Sequence, residues 1–338
     1  MSAYNRSSLE KKGLLDIIRD GLLLLKNNYL KIVLPLFIFS MIPIVLNVIF
    51  TTGLEAITIS MEPQVNAVFD KIMASEDFSD ITGSDFSVLI QYFLISQLTL
   101  IIEYLLLCSF EMFGISLVAY HLYKKFTGQK ADLTEDIKKS LNYKLILVVL
   151  ILGPLMSLGL FIFIGGFIVF GLFIYLIFTY NMPEYGGSEF IKKSWKIGSF
   201  FKKVIILLIP LFVIHFFLDM VFESFIDLIW NVDYETYSTW ITTGNYGMLI
   251  LNEAVSGIAR ALLFTPLLVC LLTSLFAEDL KEYRVKAETA QFHMGDKEIR
   301  KAESFKVEEG MFCPFCGAKI SGEQNYCPEC GESLEFLT

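Results

Sequence analysis

From residue 145 to residue 180 the chain reads "LILVVLILGPLMSLGLFIFIGGFIVFGLFIYLIFTY", thirty-six residues in a row without one charged side chain. A soluble domain has no way to bury so long an apolar run. A bilayer does, and it needs roughly 20 apolar residues to carry a helix across its ~30 Å hydrocarbon core. Inside lipid the backbone must satisfy its own hydrogen bonds, so the segments that cross are helices. The whole composition agrees: 54% hydrophobic residues and 31 Phe in 338, with a mean hydropathy of +0.58, are unlike a water-soluble globule.

Scanning for windows of that length predicts an all-α polytopic membrane protein with six spans. They fall at 31–50, 87–124, 145–163, 166–181, 204–224 and 250–277, the third and fourth forming a hairpin at Gly165 and Gly166. Lys and Arg mark the cytoplasmic side of such a chain. They gather before span one, between spans two and three, between spans four and five, and after span six. The segment 51–86 instead holds Lys71 alone against seven acidic residues, among them Glu55 and Asp85, and 231–245 has no basic residue. Both termini are therefore expected in the cytoplasm of a cell-membrane protein, and 51–86 outside as an acidic external segment. The net charge of -9 conceals a basic inner face that suits anionic lipid headgroups. Span one reads as an uncleaved anchor, since no small-residue cleavage site follows it.

Residues 278–310 carry mixed charge and few large apolar residues. They predict a solvated helix to about Phe292 and then a tether broken at Gly295. Beyond it comes "FCPFCGAKISGEQNYCPECGES", with Cys313, Cys316, Cys327 and Cys330 in two Cys-Pro-x-Cys-Gly knuckles. A reducing cytosol disfavours a disulfide framework. Four thiolates match the closed tetrahedral shell of structural Zn2+, with Gly317 and Gly331 free to take the positive φ a knuckle needs. Unpaired thiols or an iron–sulfur site are the alternatives. Residues 311–332 resemble the short zinc ribbons appended to many prokaryotic, particularly archaeal, membrane and regulatory proteins. With every coordination position filled by Cys no open site remains for catalysis. Lys319, alone among Glu323, Glu329, Glu332 and Glu335, disfavours a phosphate backbone, so no nucleic acid is expected. A cytosolic or membrane protein partner is what remains.

Three stretches share a scheme of short amphipathic helix, break, Lys and apolar span: "DIIRDGLLLLKNNYLKIVLPLFIF", "EDIKKSLNYKLILVVLIL" and "EFIKKSWKIGSFFKKVIILLIPLF". In the first, which gives residues 1–30 as a cytoplasmic amphipathic helix, Leu14, Leu15, Ile18, Leu22 and Leu25 form one stripe. Such helices lie in the interface. The alternative is that they are simply the cytoplasmic ends of long spans. Together with Gly186 and Gly187 before Ser194 and Trp195, the scheme resembles the membrane domain found beside glycerophosphodiester phosphodiesterases, over about 140–275. The hydrolase barrel is absent, so the resemblance implies architecture and no phosphodiesterase activity.

Ionisable residues inside apolar spans are candidates for function. Counting 1.5 Å per residue from the cytoplasmic ends puts His215 at ~16 Å, Asp219 at ~22 Å, Glu111 at ~20 Å and Arg260 at ~25 Å. This predicts a polar pocket in the outer half of the bundle, with Arg260 paired to Asp219 or Glu111. Tilted spans that lift these residues to the outer interface would explain them equally. His215, Asp219 and Glu223 also share one helix face, as metal ligands would. Cys108 and Cys270 read as packing. No nucleophile elbow, phosphate loop or zincin helix occurs. The expectation is a non-enzymatic membrane protein whose ribbon is an interaction or regulatory module; the alternative is a transporter or lipid-handling protein using the pocket.

Overall fold

The structure is a computed structural model. It describes residues 12–74, 82–162, 171–198, 201–230 and 232–303 and, in the tail, 311–312, 316, 318–320 and 329–331. It divides into two compact units, Met1–Leu280 and Lys281–Thr338.

The described residues up to Glu303 form helices joined by turns and short loops. The helices are α1 (Leu14–Ala74), α2 (Gly83–Phe126), α3 (Leu133–Ser140), α4 (Tyr143–Ile162), α5 (Leu176–Thr179), α6 (Glu189–Gly198), α7 (Phe201–Ile229), α8 (Tyr234–Thr243) and α9 (Tyr246–Ala259). A π-helical turn over Arg260–Phe264 leads into α10 (Thr265–Glu303). Among the described residues, α1, α2 and the run Tyr246–Lys286 are long and apolar enough to cross a membrane. The pair α3 and α4, bent by 77°, supplies a fourth if counted as one span. Such helices mark a membrane protein with three or four candidate spans among the described residues; residues or side chains of the further spans expected at 166–181 and 204–224 lie partly outside them. The hairpin at Gly165 and Gly166 lies outside the described residues.

The surface fits that solvent. Leu30 of α1 is 84% exposed and Leu150 of α4 65%, with Leu34, Phe93 and Ile146 also turned outward. Side chains of this kind in a continuous belt are stable against lipid and costly against water.

The expected repeat divides. In the second copy the break is real: Asn142 Nδ2 donates to Lys139 O at 3.0 Å, closing α3, while its Oδ1 accepts from Lys144 N at 3.0 Å, opening α4. One side chain thus caps two helices, and the chain turns. In the first copy the helix does not break. Asn28 is buried and donates to Leu24 O at 2.9 Å, one turn back along its own helix. Nothing there competes with the helical ladder, so α1 runs for 61 residues. At 1.5 Å per residue that is ~90 Å, about three hydrocarbon thicknesses. The amphipathic stretch before residue 31 is the end of a long helix, and the acidic segment begins as a continuation of it.

The helices approach one another where side chains are small. A methyl on Gly153 of α4 would meet Ser109 Cα of α2 at 2.9 Å, and one on Gly114 of α2 would meet Phe39 Cβ of α1 at 2.9 Å. Backbone contact of this closeness is how helices associate in lipid, where no hydrophobic drive exists between them.

The π turn has a local cause. Pro266 has no N–H, so the carbonyl of Leu262 four residues earlier loses its helical partner. The Tyr29 hydroxyl of α1 fills the vacancy, donating to Leu262 O at 2.9 Å. Beyond it α10 passes through Gly295 to Glu303 without the break expected there. Charge pairs one turn apart support it, as in Lys286–Glu282 at 3.0 Å, and a single interior Gly costs only ~1 kcal/mol.

Candidate functional site

Three helices bring polar stripes of helical period to one place. On α1, Asn47, Thr51 and Glu55 recur every fourth residue, and Thr51 Oγ1 lies 2.9 Å from both Asn47 O and Glu55 Oε1. On α2 the stripe is Glu103, Leu107 and Glu111, and on α9 it is Glu253 and Gly257, continued by Arg260. Residues i and i+4 share a face, so each stripe presents one wall. The walls line a partly open cavity of about 270 Å³. Gly257 allows α9 to approach α1 closely beside it, since a methyl there would meet Ile44 Cδ1 at 2.8 Å.

One end is closed by α8. Its N-cap Asp233 accepts from Thr236 N at 2.7 Å, and Gly244 ends it at φ 66°. Ile241 and Trp240 pack against Val48 and Leu249, which turns Tyr237 into the cavity wall. The Tyr237 phenol is held well above the ordinary tyrosine value, first by burial, then by the charges of Glu55, Glu253 and Glu103, with a hydrogen bond to Glu55. Glu103 lies within electrostatic reach of both Glu55 and Glu253. This end is a nest of three carboxylates.

The other end is mixed. Glu111 is buried and its Oε1 accepts from Thr265 Oγ1 at 2.9 Å. Arg260 lines the same space, and both charges reach the thiol of Cys108. Arg260 follows Glu253 by seven positions, ~10 Å along the helix, and its charge reaches Glu253 as well as Cys108.

Of the residues marked in the sequence, Arg260 and Glu111 share this cavity. Asp219 and His215, with Glu223, lie on α7, and their side chains fall outside the described residues, so neither pairing nor metal binding is decided for them. The sequence reading missed Glu55, Glu103, Glu253 and Tyr237 as partners. The four-residue recurrence of polar groups is the signal the sequence carries for them; it is obscured because Glu55 falls in the segment 51–86 expected to lie outside.

A second polar cluster sits at the opposite end of α2. His121 Nδ1 is 2.9 Å from Asp136 Oδ2, and Lys124 Nζ donates to Asp136 Oδ1 at 2.6 Å, tying α3 to α2. The buried Tyr175 hydroxyl likewise donates to Asp279 at 2.5 Å. These contacts fix helices to one another.

In the second unit, β1 (Met311–Phe312) and β2 (Lys319–Ile320) pair antiparallel, Met311 opposite Ile320 and Phe312 opposite Lys319. Cys316 lies in a turn between the two strands. Gly331, directly after Cys330, has φ 73°, a left-handed backbone that Gly adopts without strain. Cys316 and Cys330 are exposed, whereas Cys313, Cys327 and Gly317 lie outside the described residues. Among the described residues no group of three His, Cys, Asp or Glu could hold a metal ion. The donor set nonetheless fits zinc: four thiolates at paired knuckle spacing in the sequence, the last of them followed by a left-handed glycine.

Residues 312–334 match the family model of the zinc-ribbon domain. No curated protein and no solved structure matches the chain. The tail is thus a zinc ribbon, which implies structural zinc, carried on a chain whose helices are those of a membrane protein.

Proposed function

We propose that this is a non-enzymatic integral membrane protein whose zinc ribbon docks a protein partner at the cytoplasmic face. The match of 312–334 to the zinc-ribbon domain carries the reading. Four cysteines close the metal shell and leave no position for substrate. The acidic composition of the ribbon, with Glu323, Glu329, Glu332 and Glu335 against Lys319, suits a basic protein partner better than a nucleic acid. The distribution of Lys and Arg supports both termini inside and up to six spans in the cell membrane. The hairpin organisation resembles the membrane domain associated with glycerophosphodiester phosphodiesterases, and the ribbon resembles archaeal ones.

The test is proximity crosslinking in cells of the full chain, the chain ending at Gly310, and the Cys316→Ser/Cys330→Ser variant, each checked for membrane insertion. A partner crosslinked by the full chain and lost from both variants supports the reading. Crosslinks unchanged in the two variants overturn it.

A second reading, a transporter or lipid-handling protein, is favoured by one observation. Arg260 and Glu111 line a cavity together with three further carboxylates, where a purely structural bundle would be apolar.

A further inference from the structure

We propose that the corners at the ends of α3 and α6 are two equivalent docking sites for the headgroup of an anionic phospholipid, built by the second and third copies of the sequence scheme. The proposal rests on the chain lying in a bilayer and is independent of what the ribbon docks.

The two copies fold alike, residue for residue. One reads "EDIKKSL" over 135–141 and the other "EFIKKSW" over 189–195. In each, the residue after Glu is buried, the first lysine (Lys138 or Lys192) is exposed, and the serine (Ser140 or Ser194) is fully buried. The second lysine lies over a tyrosine ring in both, Lys139 5.3 Å from the centroid of Tyr120 and Lys193 5.9 Å from that of Tyr185. The residue after the serine is large and turned outward: Leu141 is 56% exposed and Trp195 48%. Burial of positions four apart follows from packing one helix face on the bundle. It does not require a lysine and a large apolar side chain to stand exposed together beside that face.

The corners are also tied to one another. Asn181 Nδ2 donates to Ser140 Oγ at 2.5 Å, and its Oδ1 accepts from Asn142 Nδ2 at 3.0 Å. Lys144 Nζ donates to Tyr185 O at 3.0 Å, so the segment leading into α6 is bonded to the start of α4. These bonds hold both corners at one end of the bundle.

Depth and charge choose the occupant. The 77° bend sets α3 near the plane of any bilayer that α4 crosses. Outward-facing apolar side chains begin after each corner and continue along the next helix, with Tyr143, Ile146 and Leu150 on α4, and Ile206, Ile209 and Val213 on α7. A long basic side chain beside an exposed aromatic or aliphatic one matches a lipid at its headgroup, since the ammonium reaches the phosphate while the apolar body stays at the acyl boundary. Lys138 and Lys192 make no ion pair or hydrogen bond among the described residues. Each short helix carries its acids in the first turn, away from the corner. That unpaired positive charge favours an anionic headgroup over a zwitterionic one.

The experiment reads tryptophan quenching of the full chain in lipid nanodiscs of equal parts phosphatidylcholine and phosphatidylglycerol, prepared in two forms that differ only in which lipid carries bromine on its acyl chains. Trp230→Phe and Trp240→Phe leave Trp195 as the one reporter. Adding Trp195→Phe and Leu141→Trp moves the reporter to the other corner. At both positions bromine on phosphatidylglycerol should quench severalfold more than bromine on phosphatidylcholine. Lys192→Gln should lower that excess about fivefold at residue 195, and Lys138→Gln should do so at residue 141, the weight of one lysine near an anionic surface; the Arg variants should preserve it. Excess inorganic phosphate should leave it in place. Equal quenching by the two labels, an excess that survives both Gln variants, or an excess abolished by phosphate overturns the proposal. A reporter at Leu150→Trp should be quenched by both labels alike. If it is quenched by neither, the bilayer placement itself falls, whereas failure at the corners alone refutes only the headgroup sites.

Discussion

His121 Nδ1 lies 2.9 Å from Asp136 Oδ2, with the two side chains only 1% and 3% exposed. Asp136 belongs to the short helix α3, and its second oxygen takes a 2.6 Å bond from Lys124. Through that one carboxylate the amphipathic helix of the second copy is fastened to the long helix α2, and the 77° bend into α4 is held from its far side.

Asp136→Ala leaves two donors without their acceptor, one of them fully buried. Breaking a buried pair by removing one partner costs ~3–5 kcal/mol. The variant should melt at markedly lower temperature in detergent, and hydrogen exchange should rise first in 133–140. Exchange that stays at the wild-type level there would show that α3 is held by something else.

Tyr29→Phe removes the donor that satisfies Leu262 O. A buried carbonyl left alone costs about 1–3 kcal/mol. Pro266→Ala restores an N–H to the ladder, so the double variant should recover most of the loss. A melting cycle over the four proteins measures the coupling, and strict additivity would refute it.

Gly153→Leu should separate α2 from α4, because its first carbon already collides with the backbone of Ser109. Overpacking of this kind costs ~1–3 kcal/mol. A cysteine crosslink engineered across these two helices should form more slowly in the variant.

Asp233 caps α8, and its carboxyl is held below the ordinary 3.8 by hydrogen bonds from the side chain and backbone of Thr236. A depressed value means the cap stabilises above the ordinary pKa and is lost as pH falls through the folded one. Between pH 5 and pH 3 the wild type should therefore lose protection in 234–243, whereas Asp233→Asn, a cap that does not titrate, should not. Parallel pH profiles for the two proteins would contradict this.

One zinc per chain is expected by elemental analysis, reduced in Cys330→Ser and retained poorly in Gly331→Val, where a branched side chain must occupy φ 73°. Chelation should unfold the ribbon while the melting of the membrane unit is unchanged. A chain without zinc would overturn the metal assignment, and a membrane unit that melts earlier on chelation would show that the two units are coupled.

What the sequence determined alone is what depends on local chemistry. The apolar runs demand a bilayer because a backbone in lipid must bond to itself, and the four cysteines at knuckle spacing specify zinc because the metal's shell is closed by near neighbours in the chain. The break expected in the second copy is present, because the Asn142 side chain caps both helices beside it. Asn28 looked much the same and broke nothing, because it turns back onto Leu24 O within a buried helix face, a choice set by what packs around it. The candidate cavity belongs to the tertiary structure in the same way. Glu55, Glu103 and Glu253 are almost two hundred residues apart from first to last, and which charges share a low-dielectric space is settled only when helices distant in sequence approach closely enough, as at Gly257, for their polar stripes to face each other.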